Sequence, residues 1–218
     1  MYPIETSVQA HRGRLADATG IWSLVAGEFP VISMPAAVFS VLADSARAWT
    51  RDSVADAAAL VAAIAPFAAV KVVGPACIGY ATRETLDVSD AERARVLTGS
   101  SADERAIEAL RAECTEEEWQ HGGASHGAAA FAVAEGDGRL GALASYVVWD
   151  RLAHIAVITA SSQRGRGAGR AAVALAAKHA LDAGLIPQYR TLRSNAPSMA
   201  IGRRLGFRAY GFSVYVRL

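Results

Sequence analysis

The chain has 218 residues and a formal net charge of +1, with 52% apolar and 20% charged residues. That length can bury the core of one large domain or two small ones, and the composition is that of a soluble globular protein, not a disordered one. Near-zero net charge excludes a global pull toward nucleic acid or an anionic membrane, so any anion site must be local.

Lysine occurs only at Lys71 and Lys178, and arginine supplies the rest of the basic charge. Cys77 and Cys114 form no disulfide framework and have no metal-ligand spacing; no metal is expected, and a reducing cytoplasm is the simplest setting. The start, Met1-Tyr2-Pro3-Ile4-Glu5, does not read as a secretory signal. The longest apolar stretch, Val54 to Val73, is broken by Asp56, Pro66 and Lys71, which argues for a buried helix and strand over a membrane span.

In chain order, residues 1–50 contain short apolar pieces broken by Gly20, Gly27, Pro30 and Pro35. The spacing predicts a helix over Ala36–Trp49 with Val38, Val41 and Leu42 on one face. A second follows over Ser53–Ile64, capped by Ser53. Ala68–Val73 and Ala76–Ala81 read as strands on either side of a Gly74-Pro75 turn. Ser89–Leu97 suits a short helix. Ser101–Glu113 suits a longer one, with Ser101 as cap, Glu104 at the capping-box position and a stripe of Ile107, Leu110 and Cys114.

Gly122–Gly127 is a small-residue loop. Ala129–Glu135 and Leu140–Trp149 then read as a hairpin around Gly136-Asp137-Gly138, and Leu152–Thr159 as a third strand. An alanine-rich helix over Arg166–Ala183 closes at Gly184. Strand Gln188–Leu192, helix Pro197–Arg204 closing at Gly206, and strand Tyr210–Val216 complete a β-β-β-α-β-α-β order over residues 129–218. The expected fold class is α/β, a mixed sheet with flanking helices.

Between the third strand and the long helix lies Ser161-Ser162-Gln163-Arg164-Gly165-Arg166-Gly167-Ala168-Gly169-Arg170. Its glycines let the backbone approach a ligand, and the next helix aims free N–H groups into the turn, which makes a phosphate site. Arg164, Arg166 and Arg170 add charge suited to a diphosphate. The competing reading is a glycine-rich surface turn with solvated arginines. A dinucleotide fingerprint fails because Arg170 stands where a third glycine belongs, a P-loop lacks its Gly-Lys-Ser/Thr, and an RGG-type segment would be repeated and disordered.

Arg164-Gly165-Arg166-Gly167-Ala168-Gly169 resembles the R-x-x-G-x-G/A signature of the GNAT superfamily of N-acetyltransferases. Asn195-Ala196-Pro197-Ser198 followed by Leu205-Gly206-Phe207 is similar to that family's N-x-x-S/A…L-G-F stretch. The resemblance covers residues 115–218 and implies a mostly antiparallel sheet with a splayed strand pair. Residues 1–114 are then a lid, a specificity domain or a degenerate half of the same fold. It implies acetyl-CoA as co-substrate, with pyrophosphate on the amides of Arg164, Gly165, Arg166, Gly167, Ala168 and Gly169. Pantetheine would lie along Ala156, Val157 and Ile158, with Asn195 and Ser198 completing the cofactor set.

The implied reaction is direct attack of a primary amine, which needs an oxyanion donor, a base and an acid for the leaving thiolate. The family's acid is a tyrosine three residues before the L of L-G-F; here that position is Gly202. Ser198, Ser194 and Tyr210 are candidate replacements, against roles as a helix cap or strand packing. Glu118 and His121, in Glu116-Glu117-Glu118-Trp119-Gln120-His121-Gly122-Gly123, are candidate bases lining an amine pocket, against an acidic helix end with a packed Trp. His154 is a further candidate, against a satisfied core-edge histidine. The expected acceptor is a small-molecule amine, with no nucleic-acid or membrane partner, in a monomer or homodimer. The other readings are a protein or peptide N-acetyltransferase and a non-catalytic acyl-CoA sensor.

Overall fold

In the computed structural model, which describes residues 5–65, 67, 71–122, 130–134 and 138–218, the chain forms two compact units. The first takes the residues up to Ile78 with Thr191–Ala196 and Ala209–Leu218; the second takes Gly79–Arg190 and Pro197–Arg208.

In the first unit, β1 (Ser7–Ala10), β2 (Gly20–Ala26), β3 (Phe29–Met34) and β10 (Arg208–Arg217) form sheet. β2 pairs antiparallel with β3 and with β10, and β1 lies parallel to β3. Alternation along β2 buries Ile21, Ser23 and Val25. Three helices, α1 (Ala36–Ala46), α2 (Arg51–Ala55) and α3 (Ala57–Ala63), supply Val38, Leu42, Val54 and Leu60 to the same core.

Several local expectations need correcting here. α1 ends at Ala46, and its buried stripe is Val38, Leu42 and Ala46, whereas Val41 is exposed. The single helix expected over Ser53–Ile64 is two helices. Asp56 adopts an extended ψ of 123° and caps α3 by accepting from the Ala59 N–H, while Thr50, not Ser53, caps α2. Gly74-Pro75 is no turn, because one strand, β4 (Lys71–Tyr80), runs through it. Gly74 has a φ of 132°, and a Cβ there would sit 2.8 Å from the Ser213 carbonyl, so close backbone approach explains the glycine. Ala68–Val70 lie outside the described residues.

The second unit holds β5 (Arg95–Val96), α4 (Ser101–Ala112), α5 (Glu116–Gly122), β6 (Ala130–Ala134), β7 (Leu140–Trp149), β8 (Leu152–Thr159), α6 (Ala168–Asp182), β9 (Ile186–Leu192) and α7 (Ala196–Arg204). β5, β6, β7 and β8 are successively antiparallel and β9 is parallel to β8, so the fold is mixed α/β with a mostly antiparallel sheet and flanking helices. The small side chains of α6, Ala171 to Ala180, pack on one face with Phe131, Tyr146, Ala153, Ile155, Tyr189 and Phe207. Leu110, Trp119, Leu143 and Ile158 form a separate core.

Ser89–Leu97 is not a helix: a 3-10 turn at Ala91–Arg93 leads into β5, whose Arg95 and Val96 pair with Ala132 and Phe131. The cap of α4 is Ser100, whose hydroxyl accepts from the Asp103 N–H, so Asp103 takes the expected place of Glu104. The buried Asp103 carboxylate accepts from Arg95 and from the Thr98 N–H and hydroxyl, which hold its pKa well below the usual carboxylate range. The hairpin tip Gly136-Asp137 and the loop from Gly123 to Gly127 lie outside the described residues.

Candidate active site where β8 parts from β9

After Thr159 the chain makes a 3-10 turn at Ser161–Gln163, and Gly165 and Gly167 take φ values of 79° and 85°, in the region that favours glycine. Among the described residues no side chain caps α6, and its first internal bond runs from the Ala171 N–H to the Gly167 carbonyl. The first-turn N–H groups therefore point outward without an intrahelical acceptor, at the positive end of the helix dipole. Gly169 does a different job. A Cβ there would lie 2.6 Å from Thr159 Oγ1, so it seats α6 against the end of β8.

The arginines divide. Arg166 is exposed. Arg164 donates to Glu118 Oε1 at 2.6 Å, and Arg170 is ion-paired with Asp90, which also lies 3.7 Å from Arg93. Arg93, absent from the sequence expectation, donates to the Arg166 carbonyl and comes within 3.2 Å of where a Gly167 Cβ would be. Only the tertiary path of residues 82–94 brings it there, and no local pattern signals it.

The β8–β9 register runs from Leu152↔Ile186 to Ile155↔Tyr189, whereas β8 stays paired with β7 as far as Thr159. The Ala160 N–H donates to Gly141 on the β7 side, and Ile186 of β9 donates to the Arg151 carbonyl. Period-two alternation then turns the N–H groups of Ala156 and Ile158 toward β7 and that of Val157 toward the parted side. Of the three expected amides, Val157 is the one aimed at the opening.

Polar side chains flank this opening on both faces. On the α6 face, Tyr189 Oη and Ser198 Oγ are 2.7 Å apart, and the Tyr189 ring lies against Gly202, whose Cβ position is 3.2 Å from Cδ1. Burial pushes the Tyr189 phenol up to about 12, partly offset by the Ser198 hydrogen bond. One residue earlier, side chains point to the other face. There His154 Nδ1 lies 2.9 Å from Gln188 Oε1, and Gln188 Nε2 donates to Tyr80 Oη at 2.8 Å. Burial lowers the His154 pKa, the Gln188 bond opposes this, and the charge of Arg190 adds to the lowering.

The remaining predicted residues are dispersed. Glu118 is engaged on both oxygens: Oε2 accepts from the Thr115 N–H in a capping box for α5, and Oε1 takes Arg164. Those bonds lower its pKa, making it a weaker base than a free carboxylate. Trp119 is buried in the core, not a pocket wall, with Arg111 over its ring. His121 is exposed, its Nδ1 2.7 Å from the Glu117 carbonyl. Asn195, in the turn before α7, and Tyr210, 54% exposed on β10, belong to the first unit with Ser194. Burial raises the thiol pKa of both Cys77 and Cys114.

The acetyltransferase (GNAT) family model matches residues 95–207, more than half of the sequence. The chain belongs to this family. Solved structures similar to it include a GNAT-family protein of Novosphingobium aromaticivorans, at 22% identity and TM-score 0.52 over 68% of this chain and 66% of that one. A GNAT-family acetyltransferase of Colwellia psychrerythraea gives 17% and 0.53 over 73% and 61%. A GCN5-related N-acetyltransferase of Kribbella flavida gives 20% and 0.52 over 72% and 62%. These likenesses are of fold, and the chain spans slightly less than two thirds of the length of each. No curated protein matches the sequence. Among the described residues, no helix is long and apolar enough to cross a membrane.

Proposed function

We propose that the chain is an N-acetyltransferase that moves an acetyl group from acetyl-CoA to a primary amine, most simply a small molecule, by direct attack in a ternary complex. The observation that carries this reading is the uncapped N-terminus of α6 beneath Gly165 and Gly167, beside the point where β8 parts from β9. These residues fit a diphosphate-bearing thioester. The outward N–H groups between Arg164 and Gly169 suit the diphosphate, the parted strands suit an extended pantetheine arm, and the Val157 N–H suits the thioester carbonyl and the oxyanion it becomes. Ser198, hydrogen-bonded to Tyr189, is the proton donor for the leaving thiolate in place of the tyrosine missing at Gly202.

Acetyl-CoA affinity of Gly167→Val tests the donor site. At a φ of 85° a β-branched residue costs on the order of 1–3 kcal/mol of backbone strain and closes the approach to the N–H groups, so affinity falls at least about tenfold. Unchanged affinity means that the turn does not hold the diphosphate. Gly202 also supports a second reading, an acyl-CoA sensor without turnover. Thioester cleavage with a panel of amines separates the two: acetyl-CoA binding with no turnover on any small amine or peptide favours the sensor.

A further inference from the structure

We infer that His154 is the general base that takes the proton from the attacking amine, and that Gln188 and Tyr80 are positioning residues that fix its tautomer. This rests on the acetyl-transfer reading above. The three side chains come from adjacent strands, β8, β9 and β4, and form one hydrogen-bonded chain. His154 and Gln188 are directly opposed in the last-but-one pair before β8 and β9 part. The group therefore stands one residue from the opening, on the face opposite Tyr189 and Ser198.

The direction of the chain determines the chemistry. Gln188 commits its Nε2 to the Tyr80 hydroxyl, so it presents the acceptor Oε1 to His154. An acceptor opposite Nδ1 requires Nδ1 to carry the hydrogen, which leaves the lone pair on Nε2. Among the described residues no hydrogen bond reaches Nε2, and the Trp149 ring stacks on the imidazole at 6.0 Å with 15° between planes. Among the described residues, Arg190 on β9 is the charged group that acts on the ring, and Tyr80 on β4 reaches it through Gln188. Burial and Arg190 keep the imidazole neutral, so the base is ready without prior deprotonation. Glu118, by contrast, has both oxygens occupied.

Nε2 removes one proton from the ammonium, the amine nitrogen forms a bond to the acetyl carbon, the carbon–sulfur bond breaks, and the second proton lost by the nitrogen ends on the leaving thiolate. The products are the amide and the free thiol, and His154 returns its proton to solvent.

The test combines turnover with a measurement that needs none. In the full chain, His154→Gln should leave acetyl-CoA affinity within about twofold while lowering kcat/KM about a hundredfold at pH 7. The deficit should shrink as rising pH deprotonates the amine in solution. His154→Asn provides a second variant if the first lowers thermal stability. Gln188→Glu places a carboxylate beside the ring and should move the acidic limb of the pH–rate profile up by about one unit or more. Nitrogen-15 NMR of the imidazole should show the Nδ1–H tautomer, and Tyr80→Phe should mix the tautomers.

Three results overturn the base: an Nε2–H tautomer, His154 variants within about threefold of the parent at every pH, or acetyl-CoA binding without turnover on any amine. A parent protein that binds no acetyl-CoA overturns the donor reading and the base together. Normal acetyl-CoA binding with undiminished turnover in the variants overturns the base alone.

Discussion

The ring of Tyr189 lies where a side chain at Gly202 would have to start, 3.2 Å from the Cβ position, so β9 supplies the phenol next to a helix residue that has none. Restoring the family's tyrosine with Gly202→Tyr should therefore overpack the site and not add an acid. The expected cost is about 1–3 kcal/mol, read as a fall in Tm of several degrees, with no gain in kcat. A rise in kcat would mean that the Tyr189–Ser198 pair does not stand in for the missing residue.

The raised Tyr189 pKa gives stability a definite alkaline sign. Below about pH 10 the phenol is protonated in both folded and unfolded chains and has no effect. Between that value and about 12, the unfolded chain loses the proton first, so folding stability falls as pH rises. Denaturant melts across this window should show the decline, and Tyr189→Phe should reduce it. An equal slope in the variant would place the alkaline sensitivity elsewhere.

His154 gives the opposite slope on the acid side. Its folded pKa lies below the ordinary value of about 6.5. Once pH drops under that value, the unfolded chain binds the proton more readily and stability falls with acidification. Melts between pH 7 and pH 5 should flatten in His154→Gln.

Gly169 and Thr159 should be coupled. Alanine suits a helix better than glycine by about 1 kcal/mol, yet Gly169→Ala puts a carbon 2.6 Å from Thr159 Oγ1. The single variant should lose stability and acetyl-CoA affinity, and Thr159→Ala in the same chain should restore both. Additive losses would show that the two do not touch.

Glu118→Ala should act on structure more than on chemistry. It removes the carboxylate of the α5 capping box and the partner of Arg164. Both groups are solvent-accessible, so a double-mutant cycle with Arg164→Ala should give a coupling under about 1 kcal/mol. Turnover should stay within about tenfold of the parent; a hundredfold loss would make Glu118 the base instead of His154.

The second unit was readable in sequence because its elements are local. Leu140–Trp149 and Leu152–Thr159 are predominantly apolar runs with the bounds expected of them, and α6 ends one residue before its expected close, ahead of Gly184. In the first unit, Tyr210–Val216 was expected as a strand and lies within β10, but β1, β2 and β3 were not named. β3 carries Pro30 and Ser33, β1 is four residues long, and the strand that completes β2 comes from Arg208–Arg217. Asp56 looked like a helix interior because its capping role depends on a backbone break that composition does not show. At the site, the glycine turn was legible as a motif, whereas the Gln188 link between His154 and Tyr80 depends on strand register and on Tyr80 reaching across from β4.

The pairing of β10 with β2 also fixes an order of events during synthesis. Residues 20–26 leave the ribosome long before residues 211–217, their partners along one whole edge. Until those arrive, β2 has an unpaired edge with apolar side chains, the kind of surface on which nascent chains self-associate. Vectorial folding can complete the helices and hairpin of the second unit first, but the first unit closes only after residues 211–217 have emerged. Expression yield should thus depend on how well that waiting edge is shielded, more than on the stability of the finished fold.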